Sequence, residues 1–189
     1  MTRIAFVRHG QTEWNRHRLL QGRTDIPLDE TGREQAADAA ARLTGTPWSA
    51  VYASTLSRAT ETARIIAESL ALSPVRPLPG VVERQYGEAE GMSVSEYRER
   101  YPDESAIPGY EDDASVLARV IPALQEVAAA HPGEDVLVVS HGAVVRLLLA
   151  AATDGARRGP GEFVRNASIQ LFEVDAEGIA LVEAELVAH

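Results

Sequence analysis

Cysteine is absent from this 189-residue chain, and so is lysine. Without cysteine there is no disulfide, no thiol nucleophile and no thiolate-bound metal. Without lysine, every permanently charged contact to an anion falls to arginine, which can grip it through two parallel hydrogen bonds. Positive charge is scarce overall: the formal net charge is −10, which argues against general nucleic-acid binding. That deficit makes arginines gathered near one site more telling. No apolar run approaches the length of a membrane span. Residues 2–7 are too few for a secretory signal core, and charged residues follow at once, so a cytoplasmic protein is expected. No long polar or Gly/Ser-rich break, internal repeat or low-complexity tract interrupts the chain. The expectation is one domain over residues 1–189.

What is present is a repeated pattern. Thr2-Arg3-Ile4-Ala5-Phe6-Val7 reads as a strand buried on both faces, and it runs into Arg8-His9-Gly10. Asp135-Val136-Leu137-Val138-Val139-Ser140 is a second such strand, and it runs into His141-Gly142. Between them, the short strand Ala50-Val51-Tyr52-Ala53 is followed by Ser54 to Ala63, with Arg58 near a helix start that favours anions. Ligands of open α/β sheets bind beyond the carboxyl ends of the strands. Two histidines and two arginines at one such edge make a pocket for a phosphoryl group. Asn15, in the polar loop from Gln11 to Gly22, could add an amide hydrogen.

The remaining elements alternate. Thr31 reads as the N-cap of a helix from Gly32 or Arg33 to about Leu43, with Glu34 at the capping-box position. Ser57 reads as the cap of a helix to about Leu72, with Ala59, Ala63, Ile66 and Leu70 as its apolar stripe. Val75 to Leu78 reads as a short strand. Residues 84–113 are irregular and rich in acids, Tyr and Gly; they read as a lid or substrate segment, with a short helix from Ser93 to Tyr101. Asp113 to Ala130 is an amphipathic helix with Val116, Val120, Leu124 and Val127 on one face and Pro122 as a kink. Ala143 to Ala152 is another helix, and Gly155 to Gly161 a loop. Val164–Val174 and Ile179–Val187 read as an antiparallel edge hairpin. Asn166-Ala167-Ser168 fits a glycosylation pattern that has no meaning in the cytoplasm. His17 and His189 have no evident partner. The fold class expected is α/β: a three-layer α/β/α sandwich with a mostly parallel central sheet.

Arg8-His9-Gly10 with Thr12 and Asn15, Gln21-Gly22, Asp25-Ile26-Pro27-Leu28 with Thr31-Gly32, Ser54 to Ala63, Glu83 with Gly87 and Glu90-Gly91, and Ser140-His141-Gly142 occur in that order. The ordered set resembles the histidine phosphatase superfamily, the phosphoglycerate mutase-like fold, over most of the chain. The resemblance implies that His9 is the nucleophile, forming a phosphohistidine, and that Arg8, Arg58 and His141 complete the catalytic set. It implies that Asn15, Gln21, Gly22 and Gly142 line the phosphate site. His141, if protonated, would add positive charge. Helix N-termini after Ser57 and His141 would add N–H donors. The spacing of acids alone leaves Glu83, Glu88 and Glu90 as candidates for the general acid; the family pattern selects Glu83. No carboxylate cluster with metal-ligand spacing emerges, so no metal and no cofactor are expected.

Three functions fit such a site. A phosphatase would hydrolyse the phosphohistidine on a small phosphorylated substrate. A phosphoglycerate mutase would return the phosphoryl group to a bound monophosphate. A non-catalytic binder would hold phospho-ligands without turnover. The mutases of the family are longer between the acid and the second histidine, and carry a Lys a few residues beyond Glu-Arg-x-Tyr-Gly. This chain keeps Glu83-Arg84-Gln85-Tyr86-Gly87 but has Gly91-Met92-Ser93-Val94 where that Lys would fall. Phosphatase is favoured; a binder would need neither His9 nor Glu83.

Overall fold

Ile4, Phe6 and their neighbours Ala5 and Val7 are buried in the middle of β1 (Thr2–Arg8). A strand apolar on both faces must lie inside a sheet covered on both sides. The computed structural model describes residues 1–72, 74–155, 162–185 and 187–188. After β1 come α1 (Glu13–Arg16), α2 (Glu30–Arg42), β2 (Trp48–Ala53), α3 (Ser57–Ser69) and β3 (Val75–Pro77). Then follow α4 (Val94–Arg100), α5 (Asp113–Ala130), β4 (Asp135–Ser140) and α6 (Gly142–Ala151). The chain ends with β5 (Glu162–Phe163), β6 (Ile169–Val174), β7 (Ile179–Ala184) and β8 (Val187–Ala188).

The main sheet has the order β3-β2-β4-β1-β6-β7. β3, β2, β4 and β1 are parallel, and β6 and β7 add an antiparallel edge. Side chains alternate across it. Ile4, Phe6, Val136 and Val138 pack with α5 and α6 on one face. Ala5, Val7, Leu137 and Val139 pack with α2 and α3 on the other. The fold is the expected three-layer sandwich. Burying each such Val, Leu or Ile contributes about 1.5–3 kcal/mol. No helix among the described residues is long and apolar enough to cross a membrane.

Several boundaries differ from the expectations above. The cap of α2 is Asp29, whose carboxylate accepts from Gly32 N at 2.8 Å, so the helix starts before Thr31 and Glu34 plays no capping part. Ser57 does not cap α3. Its N–H and its hydroxyl both donate to Asp25 Oδ1, each at 2.8 Å, so a carboxylate from 32 residues upstream does that work. That helix stops at Ser69 and the chain turns at Ala71, φ 54°. Residues 164–168 do not extend β6. Ala167 adopts a left-handed φ of 56° and turns its N–H onto the carbonyls of Arg8 and His9, folding this stretch over the end of β1. β7 ends at Ala184, and Val187–Ala188 pairs instead with Glu162–Phe163. His189 and most of the Gly155–Gly161 loop lie outside the described residues.

Residues 84–113 carry a small apolar cluster of their own. Ala89, Tyr97 and Ile107 are buried there, with Leu20, Tyr86, Met92, Tyr101 and Tyr110 packed around them. Ser93 caps α4 as expected, and backbone bonds from Leu20 to Met92 and from Gly91 to Leu20 tie this segment to the loop after α1.

Candidate active site

The parallel ladder decides which side chains meet. Arg8 on β1 stands opposite Ser140 on β4, and the next rung is His9 N donating to Ser140 O at 2.9 Å. On the other side of β4, Ser54 N donates to Val139 O at 2.9 Å. His9, His141 and Ser54 therefore leave the same sheet edge side by side. The two imidazole centroids are 5.2 Å apart. Both rings are buried, His9 at 2% exposure and His141 at 0%.

Hydrogen bonding fixes the His9 tautomer. Its Nδ1 lies 2.7 Å from the Gly10 carbonyl oxygen. A carbonyl only accepts, so Nδ1 carries the hydrogen and Nε2 of the neutral ring holds the lone pair. Burial, then the nearby Arg58 and Arg8 cations, hold this ring well below the usual imidazole pKa. His141 is depressed in the same way, by burial first, then by Arg58, His9 and Arg8. Burial thus favours the neutral form of both rings near pH 7, in which His141 lacks the positive charge it would add if protonated. His141 Nε2 is 2.7 Å from Ser54 Oγ, and its buried Nδ1 has no hydrogen-bond partner among the described residues.

The arginines are buried as well. Arg8 donates to Val164 O at 2.5 Å, and burial lowers its pKa to about 10. Gly142 opens α6 against the Arg8 guanidinium: a Cβ there would stand 3.3 Å from Arg8 Nε. Arg58 is wholly buried and donates to Gly22 O at 2.7 Å and Thr24 O at 2.9 Å. Its Nε is buried without a partner among the described residues. Gly22 is favoured on two counts: its φ is +53°, and a Cβ would meet the Glu90 carboxylate at 2.0 Å, displacing that side chain. That carboxylate accepts from Arg23 N, Thr24 N and Thr24 Oγ1, so Glu90 is a brace for the 22–24 loop.

Glu83 is 8% exposed, with Oε1 accepting from Arg84 N at 2.8 Å and Oε2 from Ala143 N at 3.3 Å. It is close enough to act electrostatically on both Arg8 and Arg58. The helix N-termini expected as phosphate donors are thus partly spoken for, Ser57 N by Asp25 and Ala143 N by Glu83. Asn15 joins through its oxygen, which accepts from Thr12 N and Asn166 Nδ2. Gln21 is buried against Thr12 Oγ1 at 2.9 Å.

A model of the histidine phosphatase superfamily (branch 1) matches residues 4–186. The chain belongs to that superfamily. It is 40% identical over 155 residues to the uncharacterized phosphatase PhoE of Bacillus subtilis, covering 82% of this chain and 79% of that one. It is 34% identical over 183 residues to a metal-independent phosphoserine phosphatase of Arabidopsis thaliana, covering 90% and 76%. Mutases are relatives too: a 2,3-bisphosphoglycerate-dependent phosphoglycerate mutase of Parvibaculum lavamentivorans is 33% identical over 162 residues, 77% of each chain. Among solved structures, Bacillus stearothermophilus YhfR superposes with a TM-score of 0.85 at 32% identity, covering 96% of both chains.

Within this histidine phosphatase fold, every site residue expected from the sequence converges on one sheet edge or on the loops braced against it. Sequence reasoning missed the supporting cast. Ser54 holds His141, and Thr62 Oγ1 accepts from Gly10 N at 3.1 Å. Arg119 donates to the carbonyls of Gly80, Val82 and Glu83 and pairs with Glu111, so it staples the turn that presents Glu83. Asn166 lies against His9 and Asn15. Among the described residues no group of three or more His, Asp or Glu side chains is placed to hold a metal ion.

Proposed function

We propose that this protein is a metal-independent phosphomonoester hydrolase that acts on small phosphorylated metabolites through a phosphohistidine at His9. The observation that carries the reading is the His9 ring, buried, neutral and locked through Nδ1 so that Nε2 keeps its lone pair. In the first step Nε2 attacks phosphorus in line, the bond from phosphorus to the ester oxygen breaks, and Glu83 gives that oxygen a proton. In the second step water attacks the phosphohistidine, Glu83 takes its proton, and the P–N electron pair returns to Nε2. Arg8 and Arg58 neutralise the charge on the equatorial oxygens, the part played elsewhere by metal ions, and the Asn15 amide adds a neutral hydrogen-bond donor. The buried Arg58 Nε and His141 Nδ1, partnerless among the described residues, are polar atoms that a phosphoryl group would satisfy. A bound dianion would also favour protonation of His141. The 84–113 segment, which starts beside Glu83, serves as the substrate lid.

A phosphoryl return to a monophosphate, the mutase reaction, uses the same first step. The missing lysine after Gly91 and the mutase relatives pull in opposite directions. A release assay over a panel of phosphomonoesters in excess chelator separates them, with phosphoserine and 3-phosphoglycerate included and the latter followed for both hydrolysis and isomerisation. The expected result is free phosphate without isomerisation and without loss to chelation. Isomerisation outrunning hydrolysis would make the protein a mutase. Loss on chelation with recovery by one divalent ion would make it a metallophosphatase.

A further inference from the structure

Asn166 sits in the turn that folds back over the end of β1, and none of the chemistry above uses it. Its amide nitrogen lies 3.0 Å from the His9 carbonyl oxygen and 3.1 Å from Asn15 Oδ1. Backbone chemistry fixes both amide orientations. A carbonyl only accepts, so the end of Asn166 facing His9 is its NH₂. The Thr12 N–H only donates, and it stands 3.2 Å from Asn15 Oδ1, so the end of Asn15 facing Thr12 and Asn166 is its oxygen. Both hydrogens of Asn166 are therefore spent on the phosphate site.

The two contacts differ in weight. The His9 carbonyl also accepts from Ala167 N at 3.2 Å, and the same N–H reaches Arg8 O at 3.0 Å, so that backbone is held without Asn166. Asn15 has fewer alternatives. Besides Thr12 N, its oxygen is 3.1 Å from Thr12 Oγ1, but that hydroxyl is also 2.9 Å from Gln21 Oε1. One hydroxyl hydrogen cannot serve both oxygens. The turn that carries Asn166 is itself anchored, since Arg42 Nη2 donates to Ala167 O at 2.6 Å and Arg42 Nη1 pairs with Glu185 at 2.6 Å.

We propose that Asn166 is a positioning residue: it holds the Asn15 carboxamide by its oxygen, so that the Asn15 NH₂ is the end presented to the phosphoryl group. A flipped Asn15 would set its NH₂ against two obligate donors, Thr12 N–H and the Asn166 amide. The inference rests on Asn15 being a phosphate donor.

A double-mutant cycle tests it, with p-nitrophenyl phosphate turnover and vanadate inhibition as readouts. Asn166→Ala should lower kcat/KM and weaken vanadate binding about five- to tenfold, in the upper part of what one net hydrogen bond contributes. In an Asn15→Ala background the same substitution should cost less than about twofold. Equal losses in both backgrounds would overturn the proposal while leaving Asn15 as a phosphate donor. Full activity in Asn15→Ala alone would overturn both. The unaltered protein gives a check independent of variant folding: on adding vanadate, the side-chain amide resonances of Asn15 should move strongly and those of Asn166 little. The reverse pattern would make Asn166 the ligand and end the proposal.

Discussion

The sheet edge and the 84–113 segment, the two halves of the proposed site, are held by different means. Arg8, His9 and His141 are carried by neighbouring parallel strands, and the β1–β4 ladder sets their spacing. The 84–113 segment has no ladder of that kind. It is held by its small tyrosine cluster and by Arg84, whose guanidinium bonds Tyr110 and Asp113, stacks on the Tyr110 ring at 5.2 Å and lies 3.9 Å from Glu104. Backbone geometry is rigid and insensitive to side-chain identity; side-chain bracing is adjustable. The sheet edge is thus fixed by backbone geometry, and the proposed substrate lid by adjustable side-chain bracing.

Four changes probe that contrast, the largest first. His9→Ala strikes the sheet-borne half and should cut turnover by roughly 10⁴-fold or more on every ester; near-normal kcat would remove the covalent mechanism. Glu83→Gln should cost about 10²–10⁴-fold on esters with poor leaving groups and far less on p-nitrophenyl phosphate, whose leaving oxygen hardly needs a proton. An equal defect across leaving groups would move the acid to Glu88 or Glu90. Arg84→Leu strikes the other half. It should lower stability by about 1–3 kcal/mol in urea titrations, since its partners are half exposed and only the arginine is deeply buried. It should raise KM more than it lowers kcat, and the reverse split would place Arg84 with the chemistry.

The smallest effect concerns acid. His9 and His141 are held neutral by burial and by Arg58 and Arg8, whereas in the unfolded chain both protonate near pH ~6.5. Below that pH the unfolded state takes up protons that the folded state refuses, so stability falls as pH falls, by up to about 1.4 kcal/mol per pH unit for each ring. Above roughly pH 7 the dependence disappears. Urea midpoints should decline from about pH 7 to about pH 5.5, with a shallower slope in His141→Gln. A flat profile would mean that the rings are protonated in the folded site.

The same contrast explains what could be read from the sequence. Apolar runs ending in His-Gly are local signals, and they located His9, His141 and the layered α/β fold. Local rules erred where a distant group intervened. Ser57 carries a good capping side chain, but Asp25 from another loop takes its place. Asp29 and Thr31 compete within three residues, and Asp29 wins with a second bond from Gln11 holding its carboxylate at 3.0 Å. Residues 164–168 look like strand, yet Ala167 turns to reach Arg8 and His9. Asn166, Ser54 and Arg119 have no local signature, because their work is done 36 to 157 residues away along the chain.

The proposed mechanism turns on transfer of the phosphoryl group to His9 Nε2. Rapid quenching of the Glu83→Gln protein with p-nitrophenyl phosphate, followed by mapping of the phosphorylated peptide, addresses it directly. The expected result is a burst of p-nitrophenol approaching one equivalent per chain and a phosphoryl group on His9 that is labile in acid and stable in base. A phosphoryl group on His141, or steady turnover with none on any residue, would contradict it.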